Sequence, residues 1–211
     1  MIAYITVKGN SVRCPRKNHT LLPYVLSYAR ELFDVIVITD DDELESIAKE
    51  YGVRVYRDKN THKISELHAI YGYLKEHDVL NIDEEFVLLP VTQPFRTEKT
   101  IKEVMEYDMS FCDVVTTYTK VSNRGIFILD DKDMFKYESY NRKGCMCNVE
   151  KMADGSMYKL RNSFLKYVVE SEDTNHAFWH GKMKFVENTH PIFLDVDEPK
   201  DLELFNFITN K

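Results

Sequence analysis

Two stretches of this 211-residue chain carry residue types suited to phosphate chemistry, and they lie near its opposite ends. The first is Lys8-Gly9-Asn10-Ser11-Val12-Arg13-Cys14-Pro15-Arg16-Lys17-Asn18. Lys8, Arg13, Arg16 and Lys17 concentrate positive charge there. Gly9 lets the backbone approach an anion closely, and Asn10, Ser11 and the loop amides are donors for phosphate oxygens. The spacing is not that of a Walker loop. A solvated basic loop is the plainer reading, but the segment directly follows the first strand of an α/β pattern, where phosphates are held. The second stretch is Asp195-Val196-Asp197. Residues two apart on an extended strand share a face, so the carboxylates repel each other unless a cation relieves them. Mg2+ bound with a nucleotide triphosphate does so, using one or two carboxylates plus phosphate oxygens. The competing role is a cap: Asp197 stands just before a helix that Pro199 opens.

The elements that must position these groups read as strands and helices in alternation. Short β-branched runs predict strands over 2–7, 34–39, 53–56, 85–89, 113–118 and 192–197. Apolar residues at helical spacing predict helices over 21–32, 42–51, 65–77, 97–107, 163–169 and 199–208, with Ser65 and Thr97 as caps and Gly52 as a stop. Such alternation implies a Rossmann-like α/β fold, a mostly parallel central sheet covered on both faces. Its ligand site lies at the carboxyl ends of the strands. From Lys120 to Asp154 the pattern breaks into a polar stretch rich in Tyr, Lys and Asn, long enough to be an inserted arm.

A net charge of −7 argues against a nucleic-acid surface while leaving room for a local basic pocket. No run approaches the roughly 18 apolar residues of a membrane-spanning helix, and 1–7 reads as a strand and not as a leader. Cys14, Cys112, Cys145 and Cys147 fit reduced thiols of a cytoplasmic protein. Cys145-Met146-Cys147 lacks the second pair of a structural zinc site, and His176 and His180, four apart beside Trp179, lack a third ligand. Tyr118, Tyr137 and Tyr140 fit a sugar site, a dimer contact or the core.

The first loop resembles the signature A-R-x-x-S-K-x-x-P-x-K-N of the acylneuraminate cytidylyltransferases, the CMP-sialic acid synthetases. Further blocks resemble that family in order. They are Ile38-Thr39-Asp40-Asp41, Val53 to Arg57, Leu88-Leu89-Pro90-Val91-Thr92-Gln93-Pro94-Phe95-Arg96-Thr97 and Leu194-Asp195-Val196-Asp197 followed by Pro199 to Leu202. Asp154-Gly155-Ser156-Met157-Tyr158 weakly echoes N-G-A-I-Y.

The resemblance implies a nucleotide-diphospho-sugar transferase type of fold, one cytidylyltransferase domain over 1–211 and a dimerisation and sugar-site arm over about 119–155. It implies an enzyme that joins CMP from CTP to a nonulosonic, sialic-acid-like sugar and releases pyrophosphate, as a homodimer serving cell-surface polysaccharide synthesis. Lys8 and Lys17 are then the catalytic cations. Gly9, Asn10, Ser11, Asn18, Arg57 and Thr92 contact the nucleotide, and Asp195 and Asp197 hold Mg2+. Gln93 and Arg142 are candidates for the sugar, with Lys143 beside them. The departures are Lys8 for Arg, Val12 for Lys, Pro90 for Gln and Val91 for Pro. They leave the nucleotide end mostly intact and change the acceptor end. Other acceptors (Kdo, a phosphonate, a sugar phosphate) and a nucleotide-binding homologue without turnover are the alternatives.

Overall fold

The computed structural model describes residues 1–58, 65–122 and 149–210. Seven strands form one sheet in the order β3-β2-β1-β4-β6-β5-β7. They are β1 (Ile2–Val7), β2 (Asp34–Thr39), β3 (Arg54–Arg57), β4 (Glu85–Leu88), β5 (Val114–Ser122), β6 (Val149–Arg161) and β7 (Met183–Glu187). β1 pairs in parallel with β2 and β4, β2 with β3, and β5 with β7. β6 runs antiparallel between β4 and β5. The fold is therefore the mostly parallel α/β architecture that the alternation implied.

Alternation along the strands splits the core between two faces. Ala3, Ile5, Val7, Val35, Val37, Val87 and Val115 pack on one face. They meet α1 (Lys17–Leu32), α2 (Asp42–Glu50), α4 (Glu98–Glu106) and α7 (Pro199–Thr209). Tyr4, Ile36, Ile38, Phe86, Leu88, Val114 and Leu160 pack on the other, against α3 (Glu66–Glu76), α5 (Asn162–Glu170) and α6 (Thr174–Trp179). Local chemistry ends the helices as expected. Asp41 caps α2 by accepting from the amides of Glu43 and Leu44, both at 2.9 Å. Gly52 follows α2 at φ 72°, and Thr97 caps α4 through the Thr100 amide at 3.1 Å. Ser65 sits at the N-cap of α3 without a side-chain bond to its amides; its hydroxyl pairs with His68 Nδ1 at 2.8 Å instead.

Three expectations are corrected. The strand expected over 192–197 does not form: the segment keeps an alternating burial, Leu194 and Val196 in and Asp195 out, but joins no ladder. It crosses the carboxyl ends of the strands, where a backbone bond from Val196 N to Thr92 O at 2.8 Å holds it. The seventh strand comes instead from Met183–Glu187, whose mixed polarity suits an edge. α1 starts at Lys17, four residues before the apolar periodicity, because the polar residues of its first turn are buried by tertiary bonds.

β5 and β6 extend as an antiparallel pair from the sheet up to Ser122 opposite Val149, with a bulge between Thr116 and Tyr118. This pair is the base of the expected arm. The calls on Tyr137, Tyr140, Arg142, Lys143, Cys145 and Cys147 lie outside the described residues. Among the described residues, no helix is long and apolar enough to cross a membrane.

Candidate active site

The carboxyl ends of β1, β2 and β4 open into a cleft of about 690 Å³, lined among others by Thr6, Lys8, Asn10, Ser11, Lys17, Asn18, Asp40, Glu66 and Thr92. A cleft of that size holds a small-molecule substrate. Its rim is built by the loop between β1 and α1. Arg16 turns the chain at φ 62°, a left-handed conformation, so that Lys17 enters the helix pointing inward. The Lys17 side chain is 9% exposed. Its ammonium donates to Val196 O at 2.7 Å and to Asp197 Oδ1 at 2.9 Å. Arg13 reaches the same carboxylate with both guanidinium nitrogens, Nη1 to Oδ2 at 3.0 Å and Nη2 to Oδ1 at 3.1 Å. Residues some 180 positions apart in sequence thus meet at one edge of the cleft.

Asn18 Nδ2 donates to Lys8 O at 2.8 Å, tying the first turn of α1 to the end of β1. Gly9 carries a packing constraint besides the expected nucleotide contact. Its amide already donates to Asp40 Oδ1 at 2.8 Å. A Cβ on Gly9 would collide with the Asp41 side chain that caps α2. Glycine is required there by packing against Ile38-Thr39-Asp40-Asp41, whichever ligand the loop meets. Arg57 is drawn to α2: its guanidinium pairs with Asp42 at 2.8 Å and Glu45 at 3.4 Å. Thr92 lines the cleft, and its carbonyl anchors Val196.

The family model for cytidylyltransferases matches residues 11–204, which include Arg13, Lys17 and both aspartates. The chain belongs to the cytidylyltransferase family. Over 148 residues it is 30% identical to the N-acylneuraminate cytidylyltransferases of Streptococcus agalactiae serotype III and serotype Ia, covering 62% of this chain. It spans 35% of the length of those curated relatives. Among solved structures it is similar to a CMP-2-keto-3-deoxy-manno-octonic acid synthetase complexed with CTP, with a TM-score of 0.65 at 14% identity over 99% of this chain and 98% of that one. It is also similar to a 4-diphosphocytidyl-2C-methyl-D-erythritol synthase, with a TM-score of 0.67 at 11% identity over 98% and 96%. At such identities these two likenesses speak for the fold.

Carboxylates gather at the same cleft as the cationic loop. Asp195 keeps contact with solvent on one side while protein crowds the other. That desolvation, with the Asp197 charge second, raises its pKa, and Lys17, Thr92 and Gln93 oppose the rise. Glu66, in the first turn of α3, is pushed up to about 7. Desolvation by the surrounding cleft is the main cause and the Asp195 charge adds to it, while the Thr6 hydroxyl, Lys8 and Lys17 pull the other way. Tyr158 on β6 is pushed up to about 12 by burial first, then by the charges of Glu66 and Asp154.

Glu66 escaped the sequence reading, which saw there a helix with Ser65 as its cap. The signal was its place: the first helical residue after a strand that ends at the cleft. Arg96 was also passed over. It donates from Nε to Ser156 O and from Nη2 to Pro90 O, both at 2.5 Å, and from Nη1 to the Tyr28 hydroxyl. It clamps the loop after β4 onto β6 and so shapes the wall where Gln93 stands. Gly155, at φ 59°, leaves the space that the Tyr158 hydroxyl and Gln93 Oε1 occupy.

Asp195 and Asp197 offer hard oxygen donors, the chemistry that suits Mg2+. Among the described residues no group of three or more His, Cys, Asp or Glu forms a complete metal cage, so substrate phosphates would have to supply further ligands. His176 on α6 and His180 just after it stack at 3.8 Å, without a third ligand among the described residues.

Proposed function

We propose that this chain transfers CMP from CTP to a hydroxyl of an acidic sugar of the nonulosonic type and releases pyrophosphate. The observation that carries the reading is the convergence of Lys17, Arg13 and Asp197 at one edge of a nucleotide-sized cleft, within a chain of the cytidylyltransferase family. The identity to proteins named N-acylneuraminate cytidylyltransferase supports the sugar class. A cytoplasmic site of action accords with the free thiols of Cys14 and Cys112.

The proposed roles are those the family resemblance implies, and the geometry supports them. Lys8 and Lys17 face the triphosphate and offset charge as it passes to the pyrophosphate. Lys17, already anchored on Val196 O, needs no reorientation to do so. Asn10 and Ser11 donate to the phosphates, and Asn18 holds the end of β1 in place. Asp195 and Asp197 are the residues that would hold Mg2+, which supplies polarisation of the α-phosphate. The acceptor oxygen forms the new bond to the α-phosphorus as the bond to the β-phosphate bridge breaks. The hydroxyl proton passes to a carboxylate of the cleft, and Glu66, held near neutrality, is suited to take it. Gln93 lies on the acceptor side, and Arg142 of the arm is the candidate partner for the sugar carboxylate. A homodimer in which the arm completes a neighbour's sugar site fits the β5–β6 ribbon leaving the sheet.

The acceptor-side replacements Pro90 and Val91 favour a second reading within the same chemistry, in which the acceptor is Kdo, a phosphonate or a sugar phosphate. Pyrophosphate release with CTP, Mg2+ and a panel of these acceptors separates the readings. Release with a nonulosonic acid supports the first, release with another member of the panel the second. No release with any of them, despite CTP binding, would leave a nucleotide-binding homologue.

A further inference from the structure

Arg13 stands where its role is easily misjudged. Its neighbour Val12, at the family's lysine position, is 91% exposed and carries no charge. Arg13 does not simply substitute for that lysine, because its fork is closed on Asp197. Between them Arg13 and Lys17 engage both oxygens of the carboxylate. Oδ1 accepts from Lys17 and Arg13, and Oδ2 faces Arg13 Nη1.

The two cations differ in freedom. Lys17 is 9% exposed and also bound to Val196 O, so it is fixed. Arg13 is 69% exposed on a loop at the cleft rim, its guanidinium held by Asp197, so it can swing. We propose that Arg13 is a latch: in the free protein it occupies the carboxylate of Asp197, and on nucleotide arrival it transfers to the triphosphate, leaving Asp197 open to the divalent cation. The inference rests on the proposed metal role of Asp197.

The physical argument is competition for one fork. A triphosphate presents several charged oxygens to a guanidinium that binds phosphate and carboxylate alike, whereas Asp197 offers one charge already shared with Lys17. Without nucleotide, a divalent cation must displace the guanidinium and approach two positive groups. With nucleotide, the guanidinium no longer stands in the way and Lys17 alone remains beside the carboxylate. Metal and nucleotide binding are then positively coupled, and by linkage each strengthens the other equally. An exposed ion pair of this kind is worth up to about fivefold in the binding of a competitor, and bidentate geometry places it at the upper end.

The test uses Mn2+ alone and CTP alone, bound to the wild-type chain and to Arg13→Gln, Arg13→Lys and Asp197→Asn. Arg13→Gln should bind Mn2+ in the absence of nucleotide about threefold to fivefold more tightly than wild type. The same variant should bind CTP in the absence of metal several-fold more weakly. Arg13→Lys, lacking the fork, should fall between on both measures. A merely structural role for Arg13 would weaken both ligands together. If Arg13→Gln gains no Mn2+ affinity while Asp197→Asn loses it, the latch is refuted and the metal site stands. If Mn2+ binds neither wild type nor Arg13→Gln, even with CTP present, the metal assignment falls and the latch with it.

Discussion

Replacing Lys17 with Met removes the ammonium while keeping most of the aliphatic stem, so the effect isolates one charge. In the folded chain that ammonium makes two bonds, to Val196 O at 2.7 Å and Asp197 Oδ1 at 2.9 Å, with the side chain 9% exposed. A hydrogen bond to a charged group contributes about 1.5–3 kcal/mol, and a buried carbonyl left without a donor costs about 1–3 kcal/mol. Arg13 still neutralises Asp197, which limits the loss to roughly 3 kcal/mol. For a chain of this size about 2–4 °C of melting temperature goes with each kcal/mol, so Lys17→Met should melt about 6–12 °C below wild type. On the proposed reading the same ammonium lies beside the triphosphate, so the loss of one preorganised cation should also lower kcat/KM for CTP by about 10²–10³. Thermal melting and pyrophosphate release, both at a temperature where the variant stays folded, read the two effects separately. The double variant Lys17→Met/Asp197→Asn should melt no lower than the sum of the singles requires, and higher if the pair is coupled. A variant that melts within about 2 °C of wild type would show that the ammonium anchors nothing. Retention of kcat/KM would remove Lys17 from the reaction.

Three other outcomes follow from the same geometry. Gly9→Ala should lose about 2–4 kcal/mol in denaturant unfolding, since the new Cβ must displace the Asp41 cap or the Gly9 bond to Asp40; unchanged stability would place the loop differently. Glu66 has a folded pKa raised to about 7 from an ordinary 4.5, so the native state binds more protons than the unfolded chain between those values. Its contribution to stability is present below pH 4.5 and lost as pH rises through 7. Glu66→Gln should therefore gain melting temperature relative to wild type across that window, in metal-free buffer, and a parallel pair of pH curves would refute the assignment. Arg96→Leu removes the clamp on Pro90 O and Ser156 O. It should raise KM for the acceptor by tenfold or more (about 1.4 kcal/mol) with a smaller change in KM for CTP, and an equal rise in both would argue against a role on the acceptor side alone.

Much of the frame was readable along the chain because local rules decide it. β2 was expected over 34–39 and found there, since an unbroken β-branched run buried on both faces admits little else. Asp41, Thr97 and Gly52 end their helices as their side chains or backbone freedom dictate. The family blocks marked Lys17, Asp195 and Asp197 before any distance was known. The 192–197 segment failed because the same alternation that makes a strand also lets an extended chain bury Leu194 and Val196 without a ladder, and periodicity cannot report a missing neighbour. Glu66 and Arg96 were overlooked because nothing within a few residues of either distinguishes a cleft carboxylate or a loop clamp from a surface charge.

By itself, then, the order of residues determined the alternation of strands and helices, the two-faced core and the residue types available for phosphate and metal. Hydrophobic period and capping act over a few positions and are written locally. Tertiary structure alone decided the partners: that Arg13 closes on Asp197, that Gly9 is a packing glycine against Asp41, that Arg57 turns to α2, and that Glu66 stands near neutrality beside Asp195. Those outcomes depend on distances and desolvation between elements far apart in the chain, and a charge acquires its strength only from what is brought next to it.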